Sequence, residues 1–161
     1  MAIEDEVIAL CRERGATIAV AESCTGGQIG GALVSVPGSS KAYLGAIVAY
    51  ANAPKRQLLN VPAELLQREG AVSAAAVQAM AEGARAAFGS TVALGVSGIA
   101  GPTGGNADKP AGTVFIALAT PDGSRAERFV FPGPRRGYIA AVTDTALGMA
   151  ADWLRSTTSA S

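Results

Sequence analysis

Residues 16–21, Ala-Thr-Ile-Ala-Val-Ala, form a short apolar run that breaks at once into Glu22-Ser23-Cys24-Thr25-Gly26-Gly27, after which small residues at helical spacing continue to about Val36. A brief apolar run containing Thr, Ile and Val reads as a strand, so the segment is a strand, a tight polar turn and a helix. The same punctuation recurs at residues 91–97 (TVALGVS), a strand that runs into Gly98-Ile99-Ala100-Gly101-Pro102-Thr103-Gly104-Gly105-Asn106, a loop too rich in glycine to be regular. Residues 43–50 (YLGAIVAY) read as a second buried strand between these two. Strands that alternate with helices in this way predict a sheet that is parallel in its first part.

The remaining segments fix the architecture. Ile3, Val7, Leu10 and Cys11 fall at helical spacing, with Glu4, Asp5 and Glu6 in the first turn and Gly15 as a stop, which predicts a helix over 3–14. Asn52 as cap and Pro54 in the first turn predict a short helix carrying Lys55 near its N-terminus. Pro62 and Ser73 open two more helices, over about 62–69 and 73–88. Residues 113–120 and 124–131 alternate around Pro121-Asp122-Gly123, the chemistry of a hairpin turn. A last helix runs from about 135 to 155, before a frayed tail over about 156–161. The expected fold is α/β: a three-layer α/β/α single domain over 1–161, with a mixed sheet and an antiparallel hairpin near the C-terminal end. At roughly 150 residues per domain, 161 residues leave no room for a second one.

Composition narrows the chemistry. Thirteen basic residues balance thirteen acidic ones, so the electrostatic footprint of a nucleic-acid binder is missing. The chain has no histidine, which removes Ser-His-Asp and Cys-His hydrolysis and His-ligated zinc. Two cysteines, Cys11 and Cys24, are too few for a cysteine-only zinc site and point to a reducing compartment. No apolar stretch reaches about 18 residues unbroken and the N-terminus has no basic leader region. The expectation is a cytoplasmic protein with no membrane partner. Its abundance of Ala and Gly implies close packing through small residues and surface shared in a homodimer or larger homo-oligomer.

Three places can carry chemistry. Ser23 lies on a strand-to-helix turn, where a hydroxyl is exposed at the carboxyl end of a sheet beside backbone N–H groups. Gly26 and Gly27 would let that backbone approach a ligand, and the helix that follows favours an anion; equally, Ser or Thr here could simply cap the helix. Lys55 is the second: with no imidazole available, a neutral amine is the natural base for a serine. The positive end of a helix contributes at most about 2 kcal/mol against an ammonium. That is roughly half of what bringing a lysine near neutrality requires, at about 1.4 kcal/mol for each tenfold change. Burial must supply the rest, whereas a solvated surface lysine is the usual alternative. Lys41 follows a Pro-Gly-Ser-Ser turn and Lys109 lies in the long loop, so Lys55 is the best placed of three. The third is the loop from Ser97 to Gly105, which is neither a P-loop nor a Rossmann turn by spacing but offers several N–H groups, as a phosphate cradle or as a mobile surface loop. Arg135 and Arg136 could add charge to a phosphate subsite or stand solvated.

Ala-Glu-Ser-Cys-Thr-Gly-Gly at 21–27, Tyr50 with Asn52 and Lys55, Ser-Gly-Ile-Ala-Gly-Pro-Thr-Gly-Gly at 97–105 and Lys-Pro-Ala-Gly-Thr-Val at 109–114 together resemble the CinA C-terminal domain family over nearly the whole chain. The resemblance implies a nicotinamide-nucleotide amidohydrolase, which converts nicotinamide mononucleotide to nicotinate mononucleotide and ammonia in pyridine-nucleotide salvage, with no cofactor or metal. By motif it makes Ser23 the nucleophile, Lys55 the general base and Tyr50 a group close enough to position or shuttle a proton. Thr25, Gly26 and Gly27 would donate to the oxyanion or phosphate, and Gly101, Thr103, Gly104, Gly105 and Asn106 would enclose the nucleotide. Cys24 ranks below Ser23 as nucleophile, since nothing nearby would make it a thiolate. Arg135 matches a family arginine, but the second basic residue usual about four positions later is replaced by Ile139 and Ala140. A non-catalytic nucleotide-binding or regulatory module with the same fold is the competing expectation.

Overall fold

Successive residues of a strand face opposite sides of a sheet, and here that alternation sorts side chains by size. The computed structural model describes residues 1–157. Its strands are β1 (Ile18–Glu22), β2 (Tyr43–Val48), β3 (Val92–Gly98), β4 (Thr113–Thr120) and β5 (Gly123–Val130), in the order β2-β1-β3-β4-β5. β1 runs parallel to β2 and β3, whereas β4 is antiparallel to both β3 and β5. The helices are α1 (Ile3–Arg14), α2 (Gln28–Val34), α3 (Asn52–Leu59), α4 (Ala63–Glu69), α5 (Ala74–Phe88) and α6 (Arg135–Ser156). The α/β fold, with its mixed sheet and C-terminal hairpin, is the one expected.

One face of the sheet presents Ile18, Val20, Val92, Leu94, Val96, Val114, Ile116 and Leu118 to a core shared with α1, α2 and α6. The other presents Ala19, Ala21, Ala93, Ala117 and Ala119 to α3, α4 and α5. Because that second wall has almost no side-chain depth, α5 lies close to the strands. A Cβ on Gly95 would stand 2.5 Å from Val77 O and 2.8 Å from Ala81 N. α3 approaches α5 in the same manner, since a Cβ on Gly83 would overlap the Leu59 carbonyl. Ser73 caps α5, its Oγ accepting the Ala76 N–H at 3.2 Å.

Several boundaries differ from the sequence reading. β1 begins at Ile18 and includes Glu22, so Glu22 belongs to the strand and not to the turn. α2 ends at Val34, leaving Val36 in the turn that follows. Ala51 occupies the cap position of α3 and Asn52 is its first helical residue. Residues 43–50 were expected to be a buried strand; β2 instead stops at Val48 and forms an edge, with Leu44 42% and Val48 46% exposed. A strand with one neighbour buries only part of its surface whatever its composition. α6 reaches Ser156, and of the expected tail residues 158–161 lie outside the described residues. Parallel pairing brings the carboxyl ends of β1, β2 and β3 to one end of the molecule, where the turns after Glu22, Val48 and Gly98 meet.

Gly95→Ala is expected to lower stability by about 1–3 kcal/mol through overpacking, read by urea denaturation. Gly148→Ala, in the middle of α6 with open space at its Cβ, should raise it by up to about 1 kcal/mol through helix propensity.

Candidate active site

Lys55 is the fourth residue of α3 and is 1% exposed. Residues 49–51 join β2 to α3, so the first turn of α3 folds back over its own connection and offers two main-chain carbonyls to the amine. Lys55 Nζ donates to Ala49 O at 2.8 Å and to Tyr50 O at 3.0 Å. The Ala49 N–H in turn donates to Glu22 O at 2.8 Å, extending the β1–β2 ladder past the end of β2 and setting Ser23 opposite these carbonyls. Ser23, 6% exposed, places its Oγ 3.0 Å from Lys55 Nζ and 3.4 Å from Tyr50 O.

This geometry serves both protonation states. An ammonium has three protons for the three acceptors. A neutral amine keeps two N–H bonds to the carbonyls and turns its lone pair to Ser23 Oγ, the arrangement of a general base. Burial pushes the Lys55 amine below its ordinary range, with a smaller opposing effect from Cys24. Cys24 is buried beside this pair, and burial pushes its thiol up, against a smaller opposing effect of the Tyr138 hydroxyl, which lies 3.6 Å from Sγ. The thiol is therefore held protonated while the lysine is driven toward its uncharged form.

Ser23 and Lys55 open into a cavity of about 390 Å³ at the carboxyl ends of β1 and β3. Tyr50, Gly101, Thr103, Gly104, Gly105 and Arg135, all chosen from the sequence, also line it. Arg135 bridges the mouth, donating from one Nη to Gly101 O at 2.8 Å and from the other to Tyr50 Oη at 3.2 Å. Tyr50 reaches the dyad through its carbonyl; its side chain is 64% exposed at the rim and its hydroxyl meets Arg135. Ala71 and Val72, from the connection between α4 and α5, complete the wall and were not singled out in the sequence. Lys109 ties the long loop to that connection, its Nζ donating to Val72 O at 2.6 Å and Glu69 O at 3.3 Å.

Four expected ligands lie elsewhere. Thr25 is buried, with its hydroxyl donating to Glu22 Oε1 at 2.6 Å, and the Gly27 N–H donates to the same oxygen at 3.2 Å. The Gly26 N–H closes a turn on Ser23 O at 3.1 Å. None of the three lines the cavity, and the carboxylate of Glu22 occupies the place at the α2 N-terminus that an anion was expected to take. Asn106 Oδ1 accepts from the Asp108 and Lys109 N–H groups at 2.9 and 2.8 Å in a local turn, and Asn106 is not among the residues that line the cavity. Glu22 was passed over in the sequence. The available signal was an acidic side chain just ahead of a helix start. Arg136 and Ala140 are exposed and Ile139 is half-buried on α6. Among the described residues no group of three or more Cys, Asp or Glu is placed to hold a metal ion, and no helix is long and apolar enough to cross a membrane.

The model of the CinA C-terminal domain matches residues 1–154. The chain belongs to the CinA C-terminal domain family. A CinA-like protein of Geotalea uraniireducens is 50% identical over 153 residues, 95% of this chain and 36% of that protein. A CinA-like protein of Parasynechococcus marenigrum is 56% identical over 133 residues, 81% of this chain and 31% of that one. The chain thus spans about a third of the length of the curated relatives it matches. Competence damage-inducible protein A of Klebsiella pneumoniae superposes with a TM-score of 0.92 at 35% identity, covering 96% of each chain. A CinA superfamily protein from the same species gives 0.91 at 33% identity, over 95% of this chain and 96% of that one. The CinA fold therefore accounts for the whole three-layer arrangement around the cavity.

The depressed amine has a consequence for stability. Between its lowered folded-state pKa and the ordinary 10.5, the unfolded chain binds the extra proton, so native stability rises with pH across that window. The stability of Lys55→Met relative to the native chain should therefore fall as pH is raised toward about 10.5 and stay level below the window. Urea denaturation at a series of pH values checks this; a constant difference would mean that Lys55 titrates as it does in the unfolded chain.

Proposed function

We propose that this CinA domain hydrolyses the carboxamide of nicotinamide mononucleotide to nicotinate mononucleotide and ammonia through a Ser23–Lys55 acyl-enzyme. The observation that carries the reading is a lysine amine, almost wholly buried, 3.0 Å from a serine hydroxyl on the floor of a cavity. A lysine held only for structure has no need of a hydroxyl partner that faces a cavity.

The neutral amine takes the Ser23 proton as Oγ attacks the carboxamide carbon. The resulting ammonium is held by Ala49 O and Tyr50 O and gives its proton to the departing nitrogen, which leaves as ammonia. Water then attacks the nicotinoyl ester, its proton passing to Lys55 and on to Ser23 Oγ, which releases the carboxylate. Cys24, next in sequence to the nucleophile, lines the cavity, and its N–H is a candidate main-chain donor for the tetrahedral oxygen. Loss of one such donor typically costs about 10²–10³ in rate.

The preference for a mononucleotide rests on the family resemblance, and two features support it. A cavity of about 390 Å³ lies near the lower end of the roughly 300–1,000 Å³ of small-molecule sites. Arg135 stands at its mouth, where a phosphate could replace the Tyr50 hydroxyl on one Nη. The competing reading, a nucleotide-binding module without turnover, is favoured by one observation. Arg135 already holds Gly101 O and Tyr50 Oη, while Ile139 and Ala140 supply no second cation.

Purified protein with nicotinamide mononucleotide should release ammonia, with kcat/KM rising with pH as the Lys55 amine loses its proton. Ser23→Ala and Lys55→Met should each lower kcat on the order of 10³-fold or more. Arg135→Ala should raise KM about tenfold while leaving kcat within a few-fold. Binding without ammonia release would support the module instead.

A further inference from the structure

We propose that Glu22 is a positioning residue that sets the separation of Ser23 and Lys55 by fixing both from one point of the chain. The proposal rests on the Ser-Lys reading above for its catalytic consequence, and on hydrogen bonds alone for its geometry.

Glu22 is fully buried. A buried carboxylate persists only where donors replace the water it has lost, and here four converge on it. Oε1 accepts the Thr25 hydroxyl at 2.6 Å, the Ile29 N–H at 3.0 Å and the Gly27 N–H at 3.2 Å. Oε2 accepts the Gly30 N–H at 2.9 Å. Thr25 and Gly27 lie in the turn that carries Ser23, and Ile29 and Gly30 at the start of α2, so the carboxylate ties that turn to the helix. The same residue's main-chain carbonyl accepts the Ala49 N–H at 2.8 Å, and Ala49 O accepts Lys55 Nζ at 2.8 Å. Ser23, next in the chain, is thus held through the turn that the Glu22 side chain grips, and Lys55 through two hydrogen bonds by way of Ala49 from the Glu22 carbonyl.

The turn needs such a clamp. Gly26 and Gly27 adopt φ of 57° and 105°, and two successive left-handed glycines have little conformational preference of their own. With the carboxylate in place, α2 has no free N-terminal donors to offer a substrate phosphate, which leaves anion recognition to the opposite wall at Arg135. Misplacing a reacting group by about 1 Å costs on the order of 10²-fold in rate.

Glu22→Gln preserves shape but puts an amide NH₂ against main-chain N–H donors whichever way it is turned, so the turn must shift. Ammonia release, a thermal melt and a crystal structure of the full-length variant test the proposal. A folded Glu22→Gln protein should lose roughly 10- to 100-fold in kcat with KM within about twofold, and its Ser23 Oγ to Lys55 Nζ distance should open beyond hydrogen-bond reach. Native kcat, or a crystal structure that keeps the 3.0 Å contact, would overturn the assignment. If Glu22→Gln does not fold, Thr25→Val removes one of the four donors and should lower kcat roughly 3- to 10-fold at constant KM; no change would likewise overturn it. A native enzyme that releases no ammonia defeats the proposed reaction, and the measured separation in the variant then still decides the role of Glu22.

Discussion

Lys55 Nζ has three acceptors within 3.0 Å and almost no contact with water, and most of what is unusual in this domain follows from keeping it there. An isolated ammonium in an apolar interior is costly enough that the group tends to give up its proton. Two main-chain carbonyls soften that cost without supplying a charge. A carboxylate at the same distance would have held the proton in place. The local segment is therefore built from neutral acceptors, with the nearest buried carboxylate, Glu22, turned away onto the start of α2.

The wall behind the amine has the same logic at the level of packing. Alanines on one face of the sheet let α5 settle against β1 and β3, and Gly83 lets α3 settle against α5. Lys55 is brought down to the ends of the strands by these close approaches. A bulkier wall of Val and Ile, like that on the opposite face, would hold α3 farther out and leave the amine nearer to water. The Ala-rich composition is in this sense part of the site.

Much of this could be read from the chain beforehand, for identifiable reasons. Strand runs that end in glycine-rich turns fix β1, β3 and their loops, and the Pro-Asp-Gly turn fixes the hairpin, because each signal is local. The absence of histidine makes lysine the expected partner for Ser23, a matter of elimination, and the structure sets Lys55 Nζ 3.0 Å from Ser23 Oγ. The edge position of β2 was not legible, since a run such as YLGAIVAY has the same composition whether it has one neighbour or two. The burial of Lys55 could be required but not seen, because it depends on how α3 packs, and the close approach at Leu59 is made to Gly83, far away in sequence. The placement of Thr25, Gly26 and Gly27 away from the cavity was hidden for a more specific reason. Donors at a helix start suggest an external anion, and only the fold reveals that the strand preceding them ends in a carboxylate able to reach back over the turn.

The cavity itself has two halves of different character. The chemical half, Ser23 and Lys55, is held by the strand ladder, by Glu22 and by the first turn of α3, all of them short linkages with little freedom. The recognition half is the glycine-rich loop after β3, fastened at Arg135 on one side and at Lys109 on the other. Both fasteners are long cationic side chains gripping main-chain carbonyls, interactions that can be exchanged for a ligand more readily than a ladder bond can. Arg135 in particular holds a rim tyrosine that is largely in water, so replacing that hydroxyl by a phosphate oxygen gives up a neutral contact for a charged one. On the proposed Ser-Lys reading, a rigid Ser23–Lys55 pair beneath a loop held by exchangeable cations allows substrate preference to vary in the loop and at the start of α6 while the geometry of the pair stays fixed.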